Sequence, residues 1–240
     1  TGLVDHFLPE LRLMRLEQDP IHRHKDVLTH TLAVVENVQL DPTRDFDFRI
    51  TRLAALYHDI GKPRTRGFKE GKGVTFHHHE VVGARLAKAR MKALRFDNET
   101  IDAVQTLTAL HLRFHGYGDG EWTDSAVRRY VRDAGDLLTH LHVLTRADCT
   151  TRNIKKAERL SRTYDGLEAR IAKLMEEEEL SKIRPDLDGA QVMKLLDIKP
   201  SADVGKALDF LMELRMEHGP LGEERAIDEL MNWWRSRRRP

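Results

Sequence analysis

Apolar residues recur along most of the chain at intervals of three and four positions, which places them on one face of an α-helix. Helices are predicted in this way around residues 3–16, 27–35, 53–60, 140–148 and 155–180. The only stretch that favours a strand is Val74-Thr75-Phe76. The pattern therefore predicts an all-α fold, a helical bundle followed by a further helical region, with at most one short hairpin near residues 64–77.

The stretch Leu53–Pro63 combines this helical pattern with an adjacent histidine and aspartate, His58 and Asp59. Gly61 followed by Pro63 predicts the helix end, because glycine accepts the left-handed terminal conformation and proline cannot continue the turn. A carboxylate beside an imidazole is costly at a largely apolar helix end unless something satisfies it, and a divalent metal ion does so. A capped helix end with a core histidine is the alternative interpretation of this pair taken alone.

Two other predicted helices carry residues suited to the same site. His30 lies in the middle of the 27–35 helix, and Asp148 ends the apolar helix 140–148. A histidine, a His-Asp pair and an aspartate on three helices can meet at one point. Their order and spacing resembles the HD superfamily of metal-dependent phosphohydrolases. That resemblance implies a divalent metal ion on His30, His58, Asp59 and Asp148, the alternative being a degenerate site without metal.

Three more histidines extend the resemblance. His79 is at the position where two-metal members of the superfamily place an extra ligand, and His111 and His115 resemble the remaining one. Because His111 and His115 are four residues apart, they share a helix face, as metal-binding pairs often do. These residues predict either a second metal or a row of polar side chains that contacts phosphate without binding metal.

Several segments place cations where they can contact phosphate. The glycine-rich stretch after Pro63 is basic, Lys206 lies beside a predicted helix N-terminus, and Gly205 is expected to allow a close backbone approach. Three arginines with an interleaved tyrosine follow Thr123. The predicted phosphate-binding or RNA-binding residues are Arg64, Arg66, Arg128, Arg129, Arg132, Arg152 and Lys206. Ordinary solvated loops and helix faces are the alternative, and the acidic run 176–179 is also expected to be solvated.

Composition narrows the function classes. The formal net charge is +1 over 240 residues, so any case for nucleic-acid binding has to be local. The single cysteine, Cys149, excludes an internal disulfide framework and fits a reducing compartment. No apolar run approaches the roughly 20 residues of a membrane helix. We therefore expect a cytoplasmic protein with no membrane partner, and a start at Thr1 in mid-pattern indicates a fragment or a processed product.

Further short segments narrow the resemblance to one branch of the superfamily. They are Leu8-Pro9-Glu10-Leu11, His58-Asp59-Ile60-Gly61-Lys62-Pro63, Thr145-Arg146-Ala147-Asp148, Leu187-Asp188-Gly189 and Val204-Gly205-Lys206-Ala207-Leu208. Together they resemble the carboxy-terminal portion of bacterial, actinobacterial-like CCA-adding tRNA nucleotidyltransferases of the poly(A) polymerase family. This implies the end of a neck helix at residues 1–20, an HD domain at 21–160 and a helical tRNA-binding region at 161–240.

The resemblance also implies a function. The family's nucleotidyltransferase head, with its Gly-Ser loop and paired carboxylates, is missing, so the chain should not add CCA by itself. An N-terminal nucleotidyltransferase domain in a parent protein is the implied partner, and tRNA or a nucleotide phosphate is the implied substrate. The HD part implies a metal-dependent phosphohydrolase, a phosphodiesterase or phosphatase acting on nucleotides or RNA 3′ ends.

The donor set and its neighbours suggest how such a site would work. Two imidazoles and two carboxylates suit Mn, Ni, Co, Fe or Mg. We expect Asp59 to orient the nucleophile and Lys62 to neutralise charge that develops on the phosphate. The alternative function is a non-catalytic tRNA-binding module, in which the HD helices are scaffold and the basic residues hold phosphates.

Overall fold

The computed structural model describes residues 2–16, 26–71, 73–114, 122–151, 153–178 and 184–237. These residues are helical apart from loops, turns and one two-stranded antiparallel hairpin, β1 (Arg66–Lys69) and β2 (Gly73–Phe76). The helices are α1 (Val4–Phe7), α2 (Glu10–Leu13), α3 (Val27–Asn37), α4 (Phe48–Tyr57), α5 (Lys62–Thr65), α6 (His79–Ala93), α7 (Asn98–Leu110), α8 (Asp124–Ala134), α9 (Leu138–Asp148), α10 (Ile154–Glu178), α11 (Gly189–Leu196), α12 (Ala202–His218) and α13 (Glu223–Arg237), with a 3-10 turn at Gly135–Leu137. The predicted all-α fold with one short hairpin is confirmed.

The described residues divide into two compact units. The first contains those within Thr1–Gly120 and Ala134–Gly166, and the second those within Glu121–Asp133 and Leu167–Pro240. At the start of the chain, two short helices, α1 and α2, stand where the end of a neck helix was predicted. The domain boundaries at residues 20 and 160 stay predictions.

The first unit is built around α4. This helix packs against α3, α7 and α9, and α6 lies along α7. Aspartates begin three of these helices by accepting a backbone N–H of the first turn, Asp26 for α3, Asp47 for α4 and Asp97 for α7. The core cluster contains Leu8, Leu11, Met14, Val27, Tyr57, Ile60, Ala87, Met91, Ile101 and Val104. Helix α4 therefore ends against this core, and its last turn leads directly into His58 and Asp59.

The end of α4 differs from the expected glycine stop. The helix ends at Tyr57, and a turn leads into α5, with Pro63 in the first turn of that helix. Gly61 has a right-handed φ of −78°. Position 61 leaves no space for a side chain, because a Cβ there would collide with the carbonyl oxygen of His79 and lie 2.7 Å from the backbone nitrogen of Gly83. The turn that carries His58 and Asp59 is thus pressed against the start of α6.

The second unit has its own core. It is formed by α11, α12 and α13 around Leu187, Val192, Leu196, Ala207, Leu211, Ala226 and Leu230. Asp188 and Gln191 form a reciprocal capping box that begins α11. The close backbone approach expected at Gly205 is wrong, since a Cβ there would meet nothing within 4 Å. No helix in the described ranges is both long enough and apolar enough to cross a membrane.

Candidate metal centre

The four predicted metal ligands lie together in the first unit. His30 is in the middle of α3, His58 and Asp59 directly follow α4, and Asp148 is the last residue of α9. Asp148 Oδ1 lies 2.8 Å from His30 Nε2 and 3.6 Å from His58 Nε2. Asp59 Oδ2 lies 3.3 Å from His58 Nε2 and 3.7 Å from His30 Nε2. Three helices thus bring two imidazoles and two carboxylates to one point.

A second group of histidines faces the other oxygen of Asp59. Asp59 Oδ1 lies 3.3 Å from His79 Nε2 and 4.0 Å from His111 Nε2. Two groups of three residues each have ligand atoms within 4.8 Å of one another, namely His30, His58 and Asp148, and Asp59, His79 and His111. One carboxylate therefore serves both groups. His115 and Arg152 lie outside the described residues.

Backbone carbonyls fix the orientation of three of these imidazoles. Nδ1 of each ring lies 2.7 Å from the carbonyl oxygen three residues earlier, His58 with Ala55, His79 with Phe76 and His111 with Thr108. A carbonyl only accepts, so Nδ1 carries a hydrogen, and in the neutral form of each ring Nε2 keeps its lone pair. Ala55 and Thr108 belong to the last turns of α4 and α7, where carbonyls lack helical partners. Two helix ends therefore orient His58 and His111, and the end of β2 orients His79.

The residues fit a divalent cation. Nε2 of His58, His79 and His111 is buried and has no hydrogen-bond partner among the described residues. A buried polar atom without a partner is costly, and cations held with the two oxygens of Asp59 would satisfy all three. The side chains of His30 and Asp148 remain 13% and 15% exposed, whereas those of His58 and Asp59 are at most 2% exposed. The site is therefore open to solvent on the side of His30 and Asp148.

The electrostatics of the cluster favour positive charge. Burial by itself lowers the pKa of His58, but the carboxylates of Asp59 and Asp148 outweigh burial and raise that pKa to about 9. Burial and the nearby His58 lower the pKa of His111 to about 3, so His111 stays neutral. Burial by itself raises the pKa of Asp59, but His58 and Lys62 hold it well below its ordinary value. Metal binds an ionised carboxylate and neutral imidazoles, so a cation would displace the second proton of His58 on binding.

Lys62 lies beside the shared carboxylate. Its Nζ is 2.7 Å from Asp59 Oδ2 and 5.7 Å from the centroid of the Phe76 ring. Arg64 and Arg66 follow on α5 and β1 and are exposed. The predicted catalytic lysine is thus at the centre, with two of the predicted phosphate-binding arginines on the adjoining surface.

The other predicted phosphate-binding residues that the structure describes belong to the second unit. Arg129 is paired with Glu213 at 2.7 Å, Arg132 with Asp133 at 3.4 Å, and Lys206 with Asp203 at 2.9 Å. These three side chains are partly exposed, and each forms an ion pair with an acidic side chain.

Arg128 differs from the expected phosphate contact. It is 5% exposed, and its guanidinium donates two hydrogen bonds of 2.8 Å to Glu178 and others to the carbonyl oxygens of Met216 and Glu217. Because its guanidinium is buried and bonded to these acceptors, Arg128 stabilises the fold and does not face a phosphate ligand. Glu178 likewise differs from the solvated acid expected in the run 176–179, because its side chain is 13% exposed.

Sequence reasoning missed the residues that support the ligands. Thr150 Oγ1 lies 3.0 Å from His30 Nδ1, and Asn37 Nδ2 donates to the carbonyl oxygen of Ala147, joining α3 to the end of α9. His140 Nε2 accepts the backbone N–H of Asp47 and so joins α9 to the start of α4. Each partner is about 100 positions away in the chain, and no local pattern signals such a pairing.

The fold and the site together define an all-helical domain that gathers histidines and aspartates around one His-Asp pair in an arrangement that could hold metal. A family model described as HD domain matches residues 27–198. The chain therefore belongs to the HD-domain family.

The chain is also similar to two curated proteins. A "CC-adding tRNA nucleotidyltransferase" of Thermus thermophilus is 34% identical over 244 residues, covering 99% of this chain and 52% of that protein. An "A-adding tRNA nucleotidyltransferase" of Deinococcus radiodurans is 32% identical over 231 residues, covering 94% of this chain and 51% of that protein. The chain thus spans about half the length of the curated relatives it matches, and the resemblance to an HD-domain portion of such enzymes is confirmed.

Proposed function

We propose that the chain is a metal-dependent phosphohydrolase that cleaves phosphate esters of nucleotides or RNA 3′ ends, as the HD portion of a tRNA nucleotidyltransferase. One observation carries the proposal. The two oxygens of Asp59 face two sets of imidazoles, and three of the Nε2 atoms are buried without a hydrogen-bond partner in the described part of the chain.

The donor atoms indicate which ions the site would hold. Nitrogen and oxygen ligands without thiolate suit Mn, Ni, Co, Fe or Mg. His30, His58 and Asp148 with Asp59 Oδ2 would hold one ion, and His79 and His111 with Asp59 Oδ1 would hold a second. When bound, such an ion supplies a Lewis acid for a phosphoryl oxygen and lowers the pKa of water.

The chain's own residues supply orientation and charge. Asp59 is held ionised, so it can accept a hydrogen bond from the attacking water and orient it. Lys62 donates to the same carboxylate, and its ammonium stabilises negative charge developing on a phosphate at the site. Arg64 and Arg66 would hold a phosphate on the approach to the centre, because both are exposed on the adjoining surface.

Hydrolysis of bis-(p-nitrophenyl) phosphate and of adenosine 2′,3′-cyclic phosphate by the purified chain tests the proposal. We expect turnover with Mn or Ni that EDTA removes, and a loss of at least about 100-fold in kcat in His58→Ala. His6→Ala is the matched control, since His6 is exposed in the same unit. Absence of metal-dependent turnover with both substrates contradicts the phosphohydrolase.

A non-catalytic tRNA-binding module is the second candidate, and one row of cations favours it. Lys155, Lys156, Arg159 and Arg162 are exposed on the first-unit part of α10 and form no ion pair with a described residue. Lys155, Arg159 and Arg162 follow helical spacing and so share a face. Such a row suits a phosphate backbone, and the relatives' names indicate tRNA.

Filter binding of tRNA across a salt series tests this second function. We expect affinity to fall steeply with salt, and the slope to decrease by about 2 in Lys155→Ala/Arg159→Ala. Lys88→Ala is the control, because Lys88 lies in the first unit and is already paired with Asp102. A flat dependence on salt contradicts tRNA binding.

A further inference from the structure

The hairpin beside the metal centre presents an exposed aromatic ring. Phe68 in β1 is 79% exposed, the highest value among the large apolar side chains described. Single exposed apolar residues are ordinary on protein surfaces. What distinguishes Phe68 is its place on the hairpin.

The pairing register connects Phe68 with the centre. Arg66 is opposite Phe76, and Phe68 is opposite Val74. Residues opposite each other, and residues two apart on a strand, lie on the same face of a sheet. Arg66, Phe68, Val74 and Phe76 therefore form one face, which we call the hairpin face.

One end of the hairpin face is at the catalytic residues. Lys62 Nζ lies 5.7 Å from the centroid of the Phe76 ring and 2.7 Å from Asp59 Oδ2. The carbonyl oxygen of Phe76 accepts the hydrogen bond from His79 Nδ1. The hairpin face thus runs outward from the metal ligands, and Phe68 lies two strand positions, about 6–7 Å, beyond the pair Arg66 and Phe76.

The charge around the hairpin face matches a phosphate-bearing ligand. The described residues between positions 62 and 76 include the cations Lys62, Arg64, Arg66 and Lys69 and the single acid Glu70. Arg66 and Phe68 combine a guanidinium with an exposed ring on one strand. Proteins that bind single-stranded nucleic acid combine these two groups in the same way, with bases stacked on aromatic rings and cations along the phosphates.

We propose that Phe68 stacks on the nucleobase of the substrate whose phosphate is held at the metal centre. This inference rests on the proposed phosphohydrolase and deepens it, since it assigns the residue that recognises the base of the nucleotide or RNA end. Phe68 is a specificity residue, and the base it stacks on need not be of one kind, because every base has a flat aromatic face.

Substrates with and without a base test the proposal kinetically. For adenosine 2′,3′-cyclic phosphate we expect Phe68→Ala to raise KM about tenfold while kcat changes less than twofold. For 1-O-methyl-ribose 2,3-cyclic phosphate, which lacks the base, KM should be the same in both proteins. Phe68→Trp should restore the low KM, and Phe7→Ala is the matched control, since Phe7 is exposed in the same unit.

A binding measurement separates failure of this inference from failure of the proposed function. The indole introduced by Phe68→Trp should be quenched by adenosine 5′-monophosphate and not by ribose 5-phosphate, whether or not the protein hydrolyses anything. Turnover of the nucleotide with an unchanged KM in Phe68→Ala overturns the stacking. If neither cyclic phosphate is hydrolysed, the proposed function fails. The stacking is overturned as well if adenosine 5′-monophosphate does not quench the indole, or if ribose 5-phosphate quenches it equally strongly.

Discussion

At the scale of single residues, the centre depends on one carboxylate and on the lack of one side chain. Asp59 faces both sets of imidazoles, so no ligand of either set is independent of it. Gly61, two residues later, lets the same turn rest on the start of α6, where His79 is the first residue. The position of Asp59 therefore depends on the absence of a side chain at Gly61.

We predict that Asp59→Asn lowers the bound metal of both sets, because an amide oxygen is a weaker donor than a carboxylate at each site. His79→Ala should lower only the metal of the second set. Elemental analysis after equilibration with Mn, compared with His6→Ala, measures the difference. Equal metal content in Asp59→Asn and the unsubstituted protein contradicts the shared role.

We predict that Gly61→Ala destabilises the first unit by about 2–4 kcal/mol, because the new Cβ collides with backbone that belongs to α6. Manganese affinity should fall as well, since His79 has to move. Gly166→Ala is the control, because nothing lies within 4 Å of a Cβ there, and alanine in a helix interior should stabilise by about 0.5–1 kcal/mol. Urea unfolding followed by far-ultraviolet circular dichroism compares the two, and an unchanged midpoint in Gly61→Ala contradicts the steric explanation.

At the scale of elements, helix ends do much of the positioning. In the first unit, the last carbonyls of α4 and α7 orient His58 and His111. In the second unit, Arg128 of α8 donates hydrogen bonds to the carbonyl oxygens of Met216 and Glu217 near the end of α12. It also donates to the carboxylate of Glu178 at the end of α10. One guanidinium thus satisfies acceptors from two helix ends.

We predict that Arg128→Met destabilises the second unit by about 3–5 kcal/mol, because Glu178 is left as a buried charge without its partner. Arg129→Met should cost no more than about 1 kcal/mol, because the Arg129 side chain is 33% exposed and its ion pair with Glu213 lies on the surface. Tryptophan fluorescence in a urea titration measures both. Similar small losses in the two variants contradict the structural role of Arg128.

The sequence alone predicted some features of the structure correctly and misjudged or missed others. Periodicity predicted the helices that carry His30, His58 and Asp148, because those segments are amphipathic and long enough to be decided locally. It misjudged Arg128 and Glu178, since an arginine on an amphipathic helix looks the same whether its head reaches water or a buried acid. Thr150 and His140 were missed because their partners depend on how helices distant in the chain pack.

At the scale of the whole molecule, the proposed metal ligands that the structure describes all belong to the first unit. They come from α3, α6 and α9 and from the residues that follow α4 and α7, so a bound metal would tie five helical segments together. Ligand binding to the folded form alone stabilises it by mass action. The second unit contributes no ligand among the described residues of either group.

We predict that Mn at 100 times its dissociation constant stabilises the first unit by about 2.7 kcal/mol. Hydrogen exchange of the α4 amides should slow accordingly, while that of the α12 amides stays the same. Asp59→Asn should abolish the slowing. Equal slowing in α4 and α12 contradicts a stabilisation confined to the first unit.

The division into two units also decides how the protein can be followed by spectroscopy. The chain has three tryptophans, Trp122, Trp233 and Trp234, and all three belong to the second unit. Intrinsic indole emission therefore reports on a part of the molecule that holds none of the proposed ligands, and a flat emission signal during a manganese titration says nothing about occupancy. Among the described residues of the first unit, Tyr57 and Tyr164 are the native tyrosine chromophores, and both phenols are buried.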